Sequence, residues 1–281
     1  MEKLHNLDEK DFQDILKYKD LLLSNGKKLA QLDPNDYYWQ DLSNETNLSR
    51  NGIFLESNMV ESWVGATRRP KRILEIGTRA GGSLIALLCV YSKEDYDKIE
   101  EVLSFDMWRE YVSITPFATF LSKLMGKKRN INISERFTKF IGNYVEKKST
   151  DKVRKNLAAF NIKTDKIKFI SGDSTIKVPE YFKQNPDKKF DYILVDGGHT
   201  EEIATKDLDN VVSHCAKGGI ILFDDIMPES YNLQGVWNKF KEKNINDFDF
   251  FEIRHRKGIG FAIKKWFSSL RGSTKQSFPK F

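Results

Sequence analysis

The chain has 281 residues, of which 40% are hydrophobic, 12% aromatic and 31% charged; that is enough apolar material for a sizeable core, and it excludes a disordered tail or a disulfide-stapled miniprotein. Two cysteines, Cys89 and Cys215, make no disulfide framework and stand in no zinc-type spacing, so a reducing compartment is the simpler reading. No apolar run approaches the roughly 20 residues that span a bilayer, and the opening MEKLHNLDEKDFQD is too polar for a secretory or transit peptide. The expected location is therefore cytoplasmic, with no membrane partner. The net charge of +6 comes from 46 basic against 40 acidic residues. The surplus gathers in KKRN near residue 128, in EKKSTDKVRKN from Glu146 and in the tail after Lys264, and is read as solvated faces, which makes a nucleic-acid partner unlikely on sequence grounds.

Residues 1–70 carry helical periods and no convincing strand: Phe12, Ile15, Leu16, Leu21, Leu22 and Leu23 recur at three- and four-residue steps before a polar loop. This predicts an N-terminal helical extension that closes a site or makes a homo-oligomer contact. From residue 71 to 265 short apolar runs ending in Gly or Asp alternate with amphipathic stretches, as in an α/β doubly wound sheet with helices on both faces. The predicted strands are RILEIG from Arg72, VLSFD from Val102, IKFISGD from Ile167, DYILVDGG from Asp191 and GIILFDD from Gly219, then DFFEIR and IGFAIKK as a closing hairpin. Together they predict a seven-stranded, mostly parallel sheet with one reversed edge strand. Residues 107–148 form a long amphipathic insert, which at this length reads as a binding element or lid, and residues 266–281 are a basic tail.

In open parallel sheets ligands sit outside the carboxyl ends of the strands. Strand one runs into ILEIGTRAGGS, with Glu75, Gly77, Thr78, Gly81, Gly82 and Ser83. A dinucleotide fingerprint needs GxGxxG, but Arg79 stands at its second glycine, and the GK[ST] of a phosphate loop is absent. The pattern ExGxxxGGS instead resembles motif I of the class I S-adenosylmethionine-dependent methyltransferases, a Rossmann-like fold. The other strand ends match that family in order. Asp106 resembles the acid that accepts hydrogen bonds from the ribose hydroxyls, Met107 and Trp108 would cover the adenine, and Asp173 and Ser174 in SGDS resemble the loop that reads its edge. VDGGHTEE, with Asp196, and GGIILFDD resemble the next two motifs. Within the superfamily, GTRAGGS, VDGGHT, FDDI and Gly235-Val236-Trp237 are similar to macrocin-type sugar O-methyltransferases and relatives of cephalosporin hydroxylase, over about residues 70–265. The chain departs from the pattern in placing Asp106 31 residues after Glu75, where about 20 is usual.

Asp196, Asp224 and Asp225 end the fourth and fifth strands, and three carboxylates in one small volume repel unless a cation joins them. Hard oxygen donors at this density suit Mg²⁺, with Ca²⁺ or Mn²⁺ as alternatives. In metal-dependent relatives such an ion holds the substrate hydroxyl against the sulfonium methyl. The alternative has Asp224 and Asp225 capping the next element while Asp196 orients the cofactor's amine. His199, three residues after Asp196, titrates near neutrality and is the candidate general base, with Asp196 beside it; its alternative is a loop histidine bonded to backbone. His5, His214 and His255 read as structural or solvated. No GxSxG elbow is present, so a nucleophilic hydrolase has little support. The expected reaction is methyl transfer to a hydroxyl of a sugar, polyol or natural product. The competing readings are a nucleic-acid methyltransferase, which lacks an NPPY-type tetrapeptide here, and a non-catalytic cofactor-binding module.

Overall fold

The computed structural model describes residues 9–32, 53–107, 147, 149–228, 230–254 and 257–266. Helices α1 (Glu9–Leu16), α2 (Lys19–Leu32) and α3 (Ile53–Arg68) precede strand β1 (Arg72–Ile76). Then come α4 (Gly82–Leu88), α5 (Lys93–Asp97), β2 (Glu101–Asp106), a helix α6 over 149–158, β3 (Ile167–Ser171) and α7 (Ser174–Gln184). The chain continues through β4 (Phe190–Val195), α8 (Glu201–Val212), β5 (Cys215–Asp224), α9 (Gln234–Asn244), β6 (Phe248–Ile253) and β7 (Ile259–Lys264). Helix starts follow local chemistry: the side chains of Asp173 and Thr200 accept from Thr175 N–H at 2.9 Å and Ile203 N–H at 3.3 Å, and Glu201 and Glu202 face the positive end of α8. Trp108, most of the 107–148 insert, His5, His255 and the tail beyond residue 266 lie outside the described residues.

The seven strands lie in the order β3-β2-β1-β4-β5-β7-β6. β7 runs against both of its neighbours, and the other pairings are parallel. This is the doubly wound sheet of the Rossmann-like methyltransferase fold, with one correction: the reversed strand is not at the edge. The short turn after β6 forces β7 to return antiparallel beside it, and β7 fills the slot between β6 and β5, leaving β6 as the edge.

Side chains alternate across each strand, so the sheet divides the core in two. Ile73, Val102, Tyr192, Leu194, Ile220 and Leu222 face a layer that includes Val60 and Val64 of α3, Leu84 and Leu87 of α4 and Val153 of α6. Leu74, Ile76, Leu103, Ile193, Val195 and Ile221 face the layer of α7, α8 and α9. Each fully buried aliphatic side chain contributes about 1.5–3 kcal/mol. Ile15, Leu22 and Leu29 join the first layer, so α1 and α2 pack onto the same core as the sheet.

Connections diverge from β1, toward β2 on one side and β4 on the other, and open a crevice at the strand ends. Two loops cross there at very short range. Gly77 N–H donates to Phe105 O and Asp196 N–H donates to Ile76 O, both at 2.9 Å. Gly77 has φ +92°, and a Cβ on it would lie 1.8 Å from Asp196 O. Gly77→Ala must therefore push backbone from backbone and hold a strained φ. We expect it to lower stability by roughly 2–4 kcal/mol, read as a lower urea midpoint at unchanged slope.

Beneath the same crevice Asp207 of α8 is fully buried, with Oδ2 accepting from Ser174 Oγ at 3.0 Å and Oδ1 without a hydrogen-bond partner among the described residues. Burial pushes its pKa up to about 7, against the Ser174 hydrogen bond and with help from Asp173. The folded state thus holds this proton after the unfolded chain has released it near 3.8. Wild-type stability should fall as pH rises from that value to about 7 and then level off. Asp207→Asn should remove this part of the pH dependence and gain roughly 1–3 kcal/mol at pH 8, measured by denaturation at several pH values.

Candidate active site

The crevice is a cavity of about 800 Å³ walled by the loops after β1 to β5, by one face of α3 and by Lys257 from the β6–β7 turn. Of the residues singled out in the sequence, Gly77, Thr78, Gly82, Ser83, Asp106, Met107, Asp173, Ser174, Asp196, His199 and Asp224 line it. Asp225 is buried beside that wall and bonds to its members.

On the β1 side, Gly81 takes φ +87° to start α4, and its N–H donates to Thr78 O at 2.8 Å. Asn156 of α6 braces the turn by donating to Ala80 O at 3.0 Å. The turn aims Arg79 N–H at Asp106, whose Oδ2 accepts it at 2.6 Å, so the acid at the end of β2 is fixed by backbone of the β1 loop. Met107 is exposed beside it. The hydroxyls of Thr78 and Ser104 bond to each other beneath the loop. Glu75 is not among the lining residues. Strand alternation turns it with Ile73 toward α3 and α4, where it is fully buried and neither carboxylate oxygen has a hydrogen-bond partner among the described residues. Burial pushes its pKa up to about 8; Thr78 opposes this, while Asp196 and Asp106 add to it.

On the β3 and β4 side, Asp173 spends Oδ1 on Thr175 N–H at 2.9 Å and Thr175 Oγ1 at 2.7 Å, and Ser174 donates its hydroxyl to Asp207. His199 stacks on Tyr231, with ring centroids 3.8 Å apart and planes at 12°. Its Nε2 lies 3.0 Å from Asp225 Oδ2 and 3.7 Å from Asp196 Oδ1. Burial disfavours the charged ring, but the two carboxylates outweigh it and raise the pKa to about 9. The expectation of a histidine titrating near neutrality is corrected: paired with two acids, it is an imidazolium at pH 7.

Asp224 and Asp225 are adjacent in sequence but serve different neighbours. Asp224 continues the Ile220, Leu222 face toward α3, where Ser57 Oγ donates to Oδ1 at 2.7 Å and Lys257 Nζ donates to Oδ2 at 2.9 Å. Asp225, at φ +64°, leaves the strand pleat and turns to His199, Ser230 and Lys257, the last at 3.1 Å. Burial lifts Asp224 above the ordinary carboxylate range while Lys257 opposes it. Burial also works against Asp225, but His199, Lys257 and Ser230 hold it below that range. Lys257 loses solvation yet is raised by Asp224, Asp196 and Asp225, so it stays an ammonium.

Of the three aspartates expected to share a cation, the structure brings Asp196 and Asp225 together with His199; one donor atom from each lies within 4.8 Å of the others. Two carboxylate oxygens and an imidazole nitrogen at this spacing fit a divalent ion. Both oxygens of Asp224 are already bonded to Ser57 and Lys257.

Ser57, Glu61, Lys257, Ser230 and Tyr231 belong to this site and were not read from the sequence. No local pattern marks them: each sits in a stretch whose periodicity is helical or loop-like, and only the packing of α3 and the closing hairpin brings them here. His214 takes the structural role expected of it, stacked on Phe182 at 3.4 Å between centroids, with Nδ1 3.0 Å from Lys188 O. Burial pushes the Cys89 and Cys215 thiols up to about 11 and about 12, leaving both protonated and poor nucleophiles.

Known proteins share this fold. The chain superposes with a TM-score of 0.53 on the S-adenosylhomocysteine-bound methyltransferase PaMTH1 of Podospora anserina, at 15% identity, over 94% of this chain and 100% of that one. An O-methyltransferase of Bacillus cereus aligns at 15% identity over 92% of this chain and 93% of that one, with a TM-score of 0.48. TomG of Streptomyces achromogenes aligns at 13% identity over 92% and 91%, again with 0.48. No curated protein matches in sequence. The family model described as a methyltransferase domain matches residues 74–226, from β1 through β5 and its loop, which is more than half of the chain. The strand-end acids and the crossing at Gly77 lie inside that match, and the chain belongs to this methyltransferase family.

Proposed function

We propose that the protein transfers the methyl group of S-adenosylmethionine to a hydroxyl oxygen of a small molecule, of the sugar, polyol or natural-product class. The observation that carries this reading is the pairing of Asp106, pinned by Arg79 N–H, with Asp196, His199 and Asp225 across one cavity. It provides a diol acceptor at one end and a proton-handling group at the other. A cavity of about 800 Å³ falls in the size range of small-molecule sites.

In this reading the cofactor's methionine part lies along Gly77 to Ser83, its ribose at Asp106, and its adenine between Met107 and the Asp173–Ser174 loop. The fold-related PaMTH1 is itself bound to S-adenosylhomocysteine. Glu75 stands buried behind this wall and not on it. Asp196, on the loop touching Gly77, faces the sulfonium end. Asp106→Ala should lower affinity for S-adenosylhomocysteine at least tenfold, about 1.4 kcal/mol. Calorimetry showing unchanged binding would remove Asp106 from the site.

His199 is the proposed proton acceptor, held in orientation by Tyr231 and Asp225. Only the neutral ring accepts a proton, so with its pKa near 9 turnover should rise with pH toward about 9 and fall below it. His199→Ala should lower kcat by roughly 10²- to 10⁴-fold and flatten that limb. Asp196 and Asp225, with His199, would hold a divalent cation, which when bound supplies Lewis-acid polarisation of the acceptor oxygen. The proton on His199 and the cation occupy the same place, so added Mg²⁺ should move that acidic limb to lower pH. A chelator should then stop turnover reversibly without changing S-adenosylhomocysteine affinity. Should chelation leave turnover untouched, His199 alone carries the deprotonation.

A further inference from the structure

We propose that Glu61, on the helix before the first strand, receives the α-ammonium group at the amino-acid end of the cofactor. The inference rests on the S-adenosylmethionine reading and deepens it by giving to α3 the amine contact that one reading of the sequence offered to Asp196.

Helix α3 turns Ser57, Asn58 and Glu61 toward the cavity; Glu61 follows them by four and three residues, steps that lie on one helical face. Ser57 is committed to Asp224. Glu61 is only 1% exposed, and its Oε2 has no hydrogen-bond partner among the described residues. Buried carboxylate oxygens are almost always paired, and an orphan on a cavity wall calls for a group that the cavity is built to hold.

The surroundings fix the sign of that group. Burial, followed by the charges of Glu75, Asp224 and Asp196, pushes Glu61 well above the ordinary carboxylate range, and only the Ser83 hydroxyl opposes them. An anion or a neutral donor would leave Glu61 in its protonated form, whereas a cation lets the carboxyl ionise and pairs with it. Lys257, the ammonium at the far side of this acidic layer, is bonded to Asp224 and Asp225. The incoming ligand can bring the missing charge. S-adenosylmethionine has two cationic groups: the sulfonium must face the acceptor beside His199, which leaves the ammonium for the end at Ser83. Ser83 stands in the first turn of α4, and Glu61 comes to it from α3, the helix packed against α4.

The test uses three thioether ligands in calorimetry with wild type and Glu61→Gln, a change that keeps side-chain volume and removes the charge. They are S-adenosylhomocysteine, its des-amino analogue, and 5′-methylthioadenosine, which lacks the whole amino-acid end. Glu61→Gln should weaken S-adenosylhomocysteine 10- to 100-fold and leave 5′-methylthioadenosine unchanged, the latter also showing that the variant is folded. Wild type should bind the des-amino analogue more weakly by a similar factor, and Glu61→Gln should add no further loss for it. Equal weakening of all three ligands would make Glu61 structural and overturn the proposal, as would unchanged S-adenosylhomocysteine affinity. If wild type binds none of them, the cofactor reading itself fails and this inference fails with it.

Discussion

The loops that leave β1 and β4 pass each other at backbone contact distance, and everything in the cavity takes its position from that crossing. A side chain at residue 77 would overlap Asp196 O, so the closeness exists only because glycine stands there. The hydrogen bonds from Gly77 to β2 and from Asp196 to β1 lock three adjacent strand ends into one register. The β1 loop then bends through Arg79 and Gly81, both at positive φ, and its amide reaches Asp106. On the other side of the contact the chain turns through Gly197 and Gly198 and delivers His199 over Asp225. Moving either loop would displace Asp106 and His199 together.

Charge is the second constraint. The carboxylates of Glu61, Glu75, Asp224 and Asp225 are buried around one end of the cavity, where an unpaired charge costs several kcal/mol. The protein answers with Lys257 between Asp224 and Asp225, with the His199 imidazolium, and with protonation of Glu75, whose pKa of about 8 keeps it largely neutral at pH 7. The site is thus acidic and only partly compensated, an environment that favours a cationic ligand over an anionic one. A cofactor with a sulfonium and an ammonium matches that deficit. The same field holds His199 in its charged form below about pH 9.

Helix α3 belongs to this chemistry as much as to the core. Its Met59, Val60, Trp63 and Val64 fill the layer under the sheet, while Ser57 and Glu61 on the adjoining stripe meet the ends of β5 and α4. One helix therefore couples stability to the site: the apolar stripe sets its height over the sheet, and that height sets where Glu61 stands.

The strands and the acids at their ends were legible in the sequence because both are local. A parallel strand buried on two faces reads as an apolar run, and DYILVDGG and GIILFDD carry their terminal acids within the same few residues. Motif order added the topology of the sheet and the candidate ribose, adenine and metal positions. What the sequence did not decide depends on contacts between residues far apart in the chain. The place of β7 inside the sheet follows from which slot remained open beside β5. Asp224 and Asp225 were read as a pair, but alternation sends the first to Ser57 and Lys257, and a left-handed φ sends the second to His199. Glu61 and Lys257 lie 163 and 32 residues or more from the β5 acids they answer to in charge and bonding, on a helix and a hairpin whose own patterns mark only a buried face and a turn. Sequence periodicity reports which face of an element is buried; only the packing of those faces reports what each buried charge meets there.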